Sequence, residues 1–188
     1  MGSLIRAAAT GAACLALAAV PAAAQQPTGV MADLLTDLKE AQDKIVGLAK
    51  AMPESGWTWR PGAGVRSTGE VVQHLAADNY LIPAVFGAAP PATTGIKAED
   101  YKTVQAYETR KIDRAAAIAE LEASFAHLRK TMMDTPASAL GEKINAFGQS
   151  YTKQQMWVLA TTHVHEHLGQ LIAYARSNNV VPPWSRGN

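Results

Sequence analysis

The segment TTHVHEHLGQLIAYAR, residues 161–176, contains the pattern that decides the fold of this chain. Polar and apolar side chains recur here at spacings of three and four, along the stripe Met156, Leu159, His163, His167, Gln170 and Tyr174. Such spacing places all of them on one face of an α-helix. Thr152 and Gln155 form a capping-box pair ahead of the stripe, so we expect a long helix that begins near residue 152 and ends near residue 178.

Three further stretches repeat apolar residues at the same helical spacing: residues 30–52, 67–83 and 113–132. Pro53 ends the first of them, and Ser67 with Glu70 forms a capping box at the start of the second. Residues 98–111 have a weaker pattern, and residues 138–151 are predicted as a loop or a short hairpin. Four helices without a convincing set of strands predict an all-α protein, a four-helix bundle.

The composition is that of one ordinary globular domain and favours no nucleic-acid partner. The chain has 188 residues, of which 48% are hydrophobic and 18% are charged. Its 17 basic and 16 acidic residues nearly cancel, and the sequence has no basic face and no glycine-rich phosphate loop. Binding to nucleic acid needs clustered Lys and Arg that displace counterions, so we expect no such partner.

Residues 1–24 have the features of a secretory signal peptide. An early cation precedes a short apolar run, and Ala22 with Ala24 supplies the A-x-A pattern of a cleavage site. The apolar run is shorter than the roughly 20 residues of a membrane span, so we expect no stable membrane anchor after cleavage. Lipidation of Cys14 is the alternative. The sequence therefore predicts a domain of residues 25–188 that is periplasmic or secreted.

His163 and His167 are four residues apart, so they differ by only about 40° around the helix and can bind one ion. His165 lies about 200° from His163, which points it away from that ion. Two unpaired imidazoles on an apolar stripe are costly to bury, and a metal ion would remove this cost. His74 also lies among apolar residues, where a backbone carbonyl or a water molecule would satisfy it equally well. On the third helix, His127 is a competing candidate.

Four stretches carry a resemblance to a known family. They are WTWRP at 57–61, the helix-two segment VVQHLAADN, the run HVHEHLGQ at 163–170 and the terminal NNVVPP. Together they resemble the DinB-like superfamily of four-helix bundles, which includes metal-dependent thiol transferases, over most of residues 30–184. The resemblance implies a divalent cation held by His74, His163 and His167, and a possible homodimer. The chain departs from the family at Leu168, where a basic residue is common, and in its signal segment.

Three neutral imidazoles would leave a metal ion its full charge and at least one open coordination position, as in catalytic zinc sites. Zinc or nickel is the expected ion. The sequence does not favour one over the other, because imidazole suits several transition metals. Asp78 is a candidate to accept a proton or to fix an imidazole tautomer, and Gln170 is a candidate to orient a ligand or substrate.

These features lead to two hypotheses about function. The first is a metal-dependent hydrolase or thiol-type transferase that acts on a small molecule. Export counts against thiol transfer, because the thiol cosubstrates of such enzymes are mainly cytoplasmic. The second is a noncatalytic periplasmic module in which a bound metal stabilises the bundle or is sensed.

Overall fold

A computed structural model describes residues 27–187, so the expected signal peptide at 1–24 lies outside the described residues. The elements are α1 (Val30–Ala51), α2 (Glu54–Trp57), α3 (Thr68–Ala84), α4 (Tyr101–Glu108), α5 (Arg114–Asp134), β1 (Lys143–Ala146), β2 (Gln149–Thr152) and α6 (Lys153–Ser177). Short 3₁₀ turns lie at Ala92–Thr94, Ala137–Ala139 and Pro183–Ser185. Within the described part of the chain, no helix is both long and apolar enough to cross a membrane.

The four long helices form a bundle whose order around the axis differs from their order in the sequence. Helix α1 packs against α5 and α6, and α3 packs against the same two helices. The order around the bundle is therefore α1, α5, α3, α6, so that α1 and α3 lie diagonally opposite each other. This arrangement confirms the prediction of an all-α four-helix bundle, and it brings α3 beside α6.

The core is formed by large side chains that all four helices bury completely. The largest include Leu38 and Ile45 of α1, Leu75 of α3, Leu121 and Phe125 of α5, and Met156 and Trp157 of α6. Burying a side chain of this size stabilises the fold by about 1.5–3 kcal/mol. The helices that carry the histidines are thus anchored along their whole length.

Both capping boxes expected from the sequence are present. The Ser67 hydroxyl accepts a hydrogen bond from the Glu70 backbone N–H, and the Glu70 carboxylate accepts one from the Ser67 N–H. Thr152 and Gln155 make the same exchange at the start of α6. These caps fix where α3 and α6 begin and therefore which residues of each helix face the other.

The predicted stripe of α6 is buried at its two ends, Met156 and Tyr174, but its middle lies beside the buried face and not on it. The buried face runs through Ala160, Val164, Leu168 and Leu171, whereas Leu159 and Gln170 are only partly buried. Val164 and Leu168 fill the core, and the histidines lie along the edge of the buried face, on the side of α3. The polar site residues His163, His167 and Gln170 have the same spacing of three and four as core residues, so spacing alone does not separate the two sets.

Residues 138–151 contain a hairpin, one of the two alternatives left open by the sequence. Strands β1 and β2 pair antiparallel, with Ala146 opposite Gln149. Phe147 and Gly148 form the two-residue turn, and both have positive φ, 52° and 76°. Residues 98–111, which showed only weak periodicity, contain the short helix α4. Helix α4 and the hairpin both contribute residues to the histidine region.

Candidate metal centre

Three histidines from two helices meet at one edge of the core. His74 comes from the middle of α3, and His163 and His167 come from successive turns of α6. Each offers a ring nitrogen, and these atoms lie within 4.8 Å of one another. Ring centroids are separated by 4.5 Å for the α6 pair, and by 5.4 and 4.8 Å from His74 to His163 and His167. The structure thus brings together the three residues that the resemblance had implied as metal ligands.

His163 has a buried nitrogen whose surroundings fit a metal ion. Its Nε2 is inaccessible to solvent and makes no hydrogen bond. An Asp78 carboxylate oxygen lies 2.8 Å away, but outside the direction in which a ring N–H would donate. A buried polar atom without a partner costs about 1–3 kcal/mol. A cation bound at Nε2 would remove that cost, and it would be attracted by the neighbouring carboxylate.

Glu108 sets the orientation of His74. Its Oε1 lies 2.8 Å from Nδ1 of His74, and its Oε2 lies 3.4 Å from the Arg66 guanidinium. Because an ionised carboxylate only accepts hydrogen bonds, Nδ1 of His74 must carry the proton and donate it. In the neutral ring, the form that binds a metal, the lone pair is then on Nε2, the nitrogen that faces Asp78 at 3.3 Å. Carboxylate partners of this kind hold metal-binding histidines in the required tautomer.

A hydrogen-bonded chain sets the tautomer of His167. The Tyr174 hydroxyl donates to the backbone carbonyl of Arg66 at 2.9 Å, and it accepts from the Gln170 amide at 2.8 Å. The amide oxygen of Gln170 is then left to accept from Nδ1 of His167, also at 2.8 Å. Since the chain ends on a carbonyl, which cannot donate, its direction is fixed. Nε2 of His167 is therefore free to bind an ion, and Gln170 acts by orienting this histidine.

The WTWRP segment supports this chain from the end of the bundle. The ring of Trp59 contacts that of Tyr174 edge to face at 5.2 Å between centroids. The backbone carbonyl of Trp59 accepts from the Thr68 N–H at the start of α3. Arg60 bonds to the Val65 carbonyl and to Glu70 of the capping box. The segment thus fixes the position of the loop carbonyl on which the hydrogen-bonded chain ends.

The pKa values of the two α6 histidines are shifted in opposite directions from the ordinary histidine value. The adjacent Asp78 carboxylate raises the pKa of His163 above its ordinary value. Burial, together with the neighbouring His163 and His74, lowers the pKa of His167 to about 4. His167 is therefore neutral and ready to coordinate at pH 7, whereas at His163 a cation competes with a proton that the ring holds more strongly than an ordinary histidine does.

The remaining histidines lie outside the group. His165 points to the surface, where its Nε2 is 2.9 Å from an Asp37 oxygen. His127 packs beside Tyr80 at 5.5 Å between ring centroids, and burial lowers its pKa. Glu166, whose side chain is 74% exposed, lies 3.4 Å from Nδ1 of His163 and faces solvent.

A second grouping shares one histidine with the first. His74, Asp78 and Glu108 also offer potential ligand atoms within 4.8 Å of one another. Glu108 is, however, already bonded to His74 and paired with Arg66. The three-histidine set makes the better centre, because hydrogen bonds at Nδ1 leave Nε2 of His74 and His167 available, and Nε2 of His163 makes no hydrogen bond.

A cavity of about 250 Å³ opens directly beside this group. His74, Asp78 and His163 form its polar end. Two larger clefts in the described part of the chain, of about 830 Å³ each, contain none of the three histidines. A small molecule in the 250 Å³ cavity would lie against both the imidazoles and the Asp78 carboxylate.

Sequence reasoning missed Glu108 as a residue of the site. It is the last residue of α4, and it reaches His74 only because the chain between α3 and α5 folds back against α3. The only local signal was an acidic residue in a stretch of weak helical periodicity, which does not distinguish it from surface acids.

Comparison with known proteins agrees with this architecture. The profile of the DinB superfamily matches residues 37–171. A DinB-like protein from Bacillus subtilis of known structure has a TM-score of 0.60 and 17% identity, over 79% of this chain and 93% of that one. YfiT from Bacillus subtilis, described as a probable metal-dependent hydrolase with an unusual four-helix bundle topology, has a TM-score of 0.64 and 14% identity, over 84% and 93%.

At these identities the two solved structures establish the fold alone. No curated protein matches the sequence significantly. The superfamily match is broader, since it extends from α1 to the last turns of α6 and includes His74, His163 and His167. The resemblance predicted from the sequence is therefore confirmed, and this chain belongs to the DinB superfamily.

Proposed function

We propose that the protein is a metal-dependent hydrolase that acts on a small molecule, with a divalent ion held by His74, His163 and His167. The observation that carries this proposal is a cluster of three imidazole nitrogens within 4.8 Å of one another, in which the rings of His74 and His163 line a cavity together with Asp78. A purely structural metal site would be closed by its ligands. Here two of the three histidines line a space that a substrate can enter. Zinc or nickel is the ion that best suits an all-imidazole set.

Such an ion, when bound, makes a water molecule or a thiol nucleophilic near neutral pH and polarises a carbonyl. The residues of the chain supply the remaining functions. Glu108 and Gln170 keep two imidazoles in the coordinating tautomer. Asp78 Oδ2, within 3.3 Å of Nε2 of His74 and 2.8 Å of Nε2 of His163, is placed to accept the proton of the attacking nucleophile.

Water is the simpler nucleophile for an exported protein. The signal features of residues 1–24 support a periplasmic or secreted location. Low-molecular-weight thiols are scarce there, whereas water is always available. Thiol-type transfer would use the same residues, and we rank it second for this reason.

The proposal is tested by turnover that depends on both the metal and its ligands. Untagged protein is screened against ester, amide and thiol-conjugation substrates, with and without a chelator, beside the variant His163→Ala. The matched control is His165→Ala, which removes a histidine two residues away that pairs with Asp37 at the surface. We expect a rate that chelation and His163→Ala abolish, that His165→Ala preserves, and that metal addition restores.

A different pattern would support the noncatalytic alternative. If chelation lowers the melting temperature and no substrate of the three classes turns over, the ion stabilises the bundle and the hydrolase proposal fails. Turnover that His163→Ala leaves unchanged would place the chemistry elsewhere in the molecule.

A further inference from the structure

The hairpin between α5 and α6 holds a large aromatic residue in a backbone conformation that favours glycine. Phe147 has φ of 52°, and its neighbour Gly148 has φ of 76°. Two successive positive φ values characterise the type I′ hairpin turn, whose first position prefers Asn, Asp or Gly. A bulky side chain in this region is an outlier, and such outliers cluster at functional sites.

The side chain of Phe147 lines the cavity beside the histidines. It does so although it is 53% exposed, and Tyr101, at the start of α4, lines the same cavity while 56% exposed. Both aromatics come from segments outside the four-helix core, namely the hairpin turn and α4. The core does not need either of them for packing, so their exposure beside the cavity calls for another explanation.

The cavity has two chemically distinct parts. His74, His163 and Asp78 supply polar side chains, and the other lining residues, Leu81, Ile82, Leu159, Tyr101 and Phe147, are aliphatic or aromatic. A ligand that fills this space must place a polar, metal-reactive group against the imidazoles and an apolar group against the aromatics. A charged or strongly hydrated substituent at the apolar walls would lose its water without gaining partners.

We propose that Phe147, together with Tyr101, binds a compact aryl or branched alkyl group of the substrate and so determines specificity. This inference rests on the proposed function, because it assigns the substrate class of the same centre. The substrate class is a small molecule whose carbonyl or similar reacting group carries one apolar substituent.

The cavity volume limits the size of that substituent. About 250 Å³ is below the roughly 300–1,000 Å³ of pockets that hold drug-sized ligands. It exceeds the roughly 150 Å³ of an apolar cavity that binds benzene. A single ring or a short branched chain joined to the reacting group fits between these limits, whereas a peptide or a lipid chain does not.

The test compares two probes that share one metal-binding group. Acetohydroxamate and benzohydroxamate both chelate through the hydroxamate oxygens and differ only in methyl against phenyl. Binding to the full-length, Co²⁺-loaded protein is followed by the visible absorption of the metal, for the wild type, Phe147→Gly and the control Trp184→Ala. Trp184 is a similarly exposed aromatic, 40% accessible, that does not line this cavity. Thermal unfolding of the metal-free proteins is measured in parallel.

We expect the phenyl probe to bind the wild type more tightly than the methyl probe. Phe147→Gly should weaken the phenyl probe by about 3- to 10-fold, the range that an aromatic pair contributes, and leave the methyl probe unchanged. The same variant should melt at an equal or higher temperature, because glycine relieves the positive φ. Trp184→Ala should leave both affinities unchanged.

Two other outcomes overturn the inference in distinguishable ways. Equal weakening of both probes, or none, in Phe147→Gly would show that Phe147 does not contact the substituent, and the proposed function would stand. A lower melting temperature with unchanged affinities would assign Phe147 to the fold alone. Failure of both probes to bind the wild type would refute the open metal centre itself, and with it the proposed function.

Discussion

Removing the carboxylate of Glu108 should weaken metal binding although this residue is not a ligand of the three-histidine centre. Glu108 holds Nδ1 of His74 at 2.8 Å, and both side chains are nearly buried, with exposed fractions of 13% and 10%. Glu108→Ala leaves a buried N–H without a partner, at a cost of about 1–3 kcal/mol. Because Glu108 also holds the His74 ring in its coordinating tautomer, its loss should weaken metal binding by about 10- to 100-fold. Glu108→Gln keeps a hydrogen-bond acceptor but loses the charge, so this variant should lose less metal affinity than Glu108→Ala does.

The assay is a competition titration with Zn²⁺ against a chromophoric chelator, at fixed pH and with the full chain. Glu122→Ala is the matched control, because Glu122 pairs with Lys50 on an exposed surface at 2.6 Å and contacts none of the histidines. The Glu122→Ala protein should bind Zn²⁺ as tightly as the wild type does. Wild-type affinity in a folded Glu108→Ala protein would refute the claim that this residue orients His74.

Three further predictions concern protonation and packing. The apparent Zn²⁺ affinity should rise with pH through and beyond about 6.5, the ordinary histidine value, because Asp78 raises the pKa of His163 and this proton must leave. In Asp78→Asn the rise should end at lower pH, as pH-dependent titrations will show. Gly69→Ala should destabilise the fold by about 1–3 kcal/mol, because its Cβ would lie 2.5 Å from the indole nitrogen of Trp57. Gly169→Ala, a helical glycine with open space around it, should stabilise by up to about 1 kcal/mol, and chemical denaturation measures both.

The sequence carried local information about the site but little tertiary information. His163 and His167 were predictable as a pair because their separation of one helical turn is a property of the helix itself. The same helical geometry predicts that His165 points away from the face of α6 that carries His163 and His167. His74 was different, since its distance from α6 depends on the order of helices around the bundle, and the family resemblance alone implied its role.

Glu108 and Phe147 could not be assigned from local patterns. The first acts on His74 across a chain reversal, through a contact that no periodicity encodes. The second lies in a segment that was predicted as a loop or a short hairpin, and its contact with the cavity depends on where the hairpin packs. The buried face of α6 was misplaced for a related reason. Residues retained for chemistry, such as Gln170, interrupted the apolar pattern on which the prediction relied.

The most direct test of the metal centre is a crystal structure of the untagged protein loaded with Zn²⁺, with anomalous data collected at the zinc edge. We predict one strong peak per chain, bound by Nε2 of His74, His163 and His167, with a remaining coordination position open toward the cavity beside Asp78. A peak between His74, Asp78 and Glu108 instead, or no peak at the three histidines, would contradict this account.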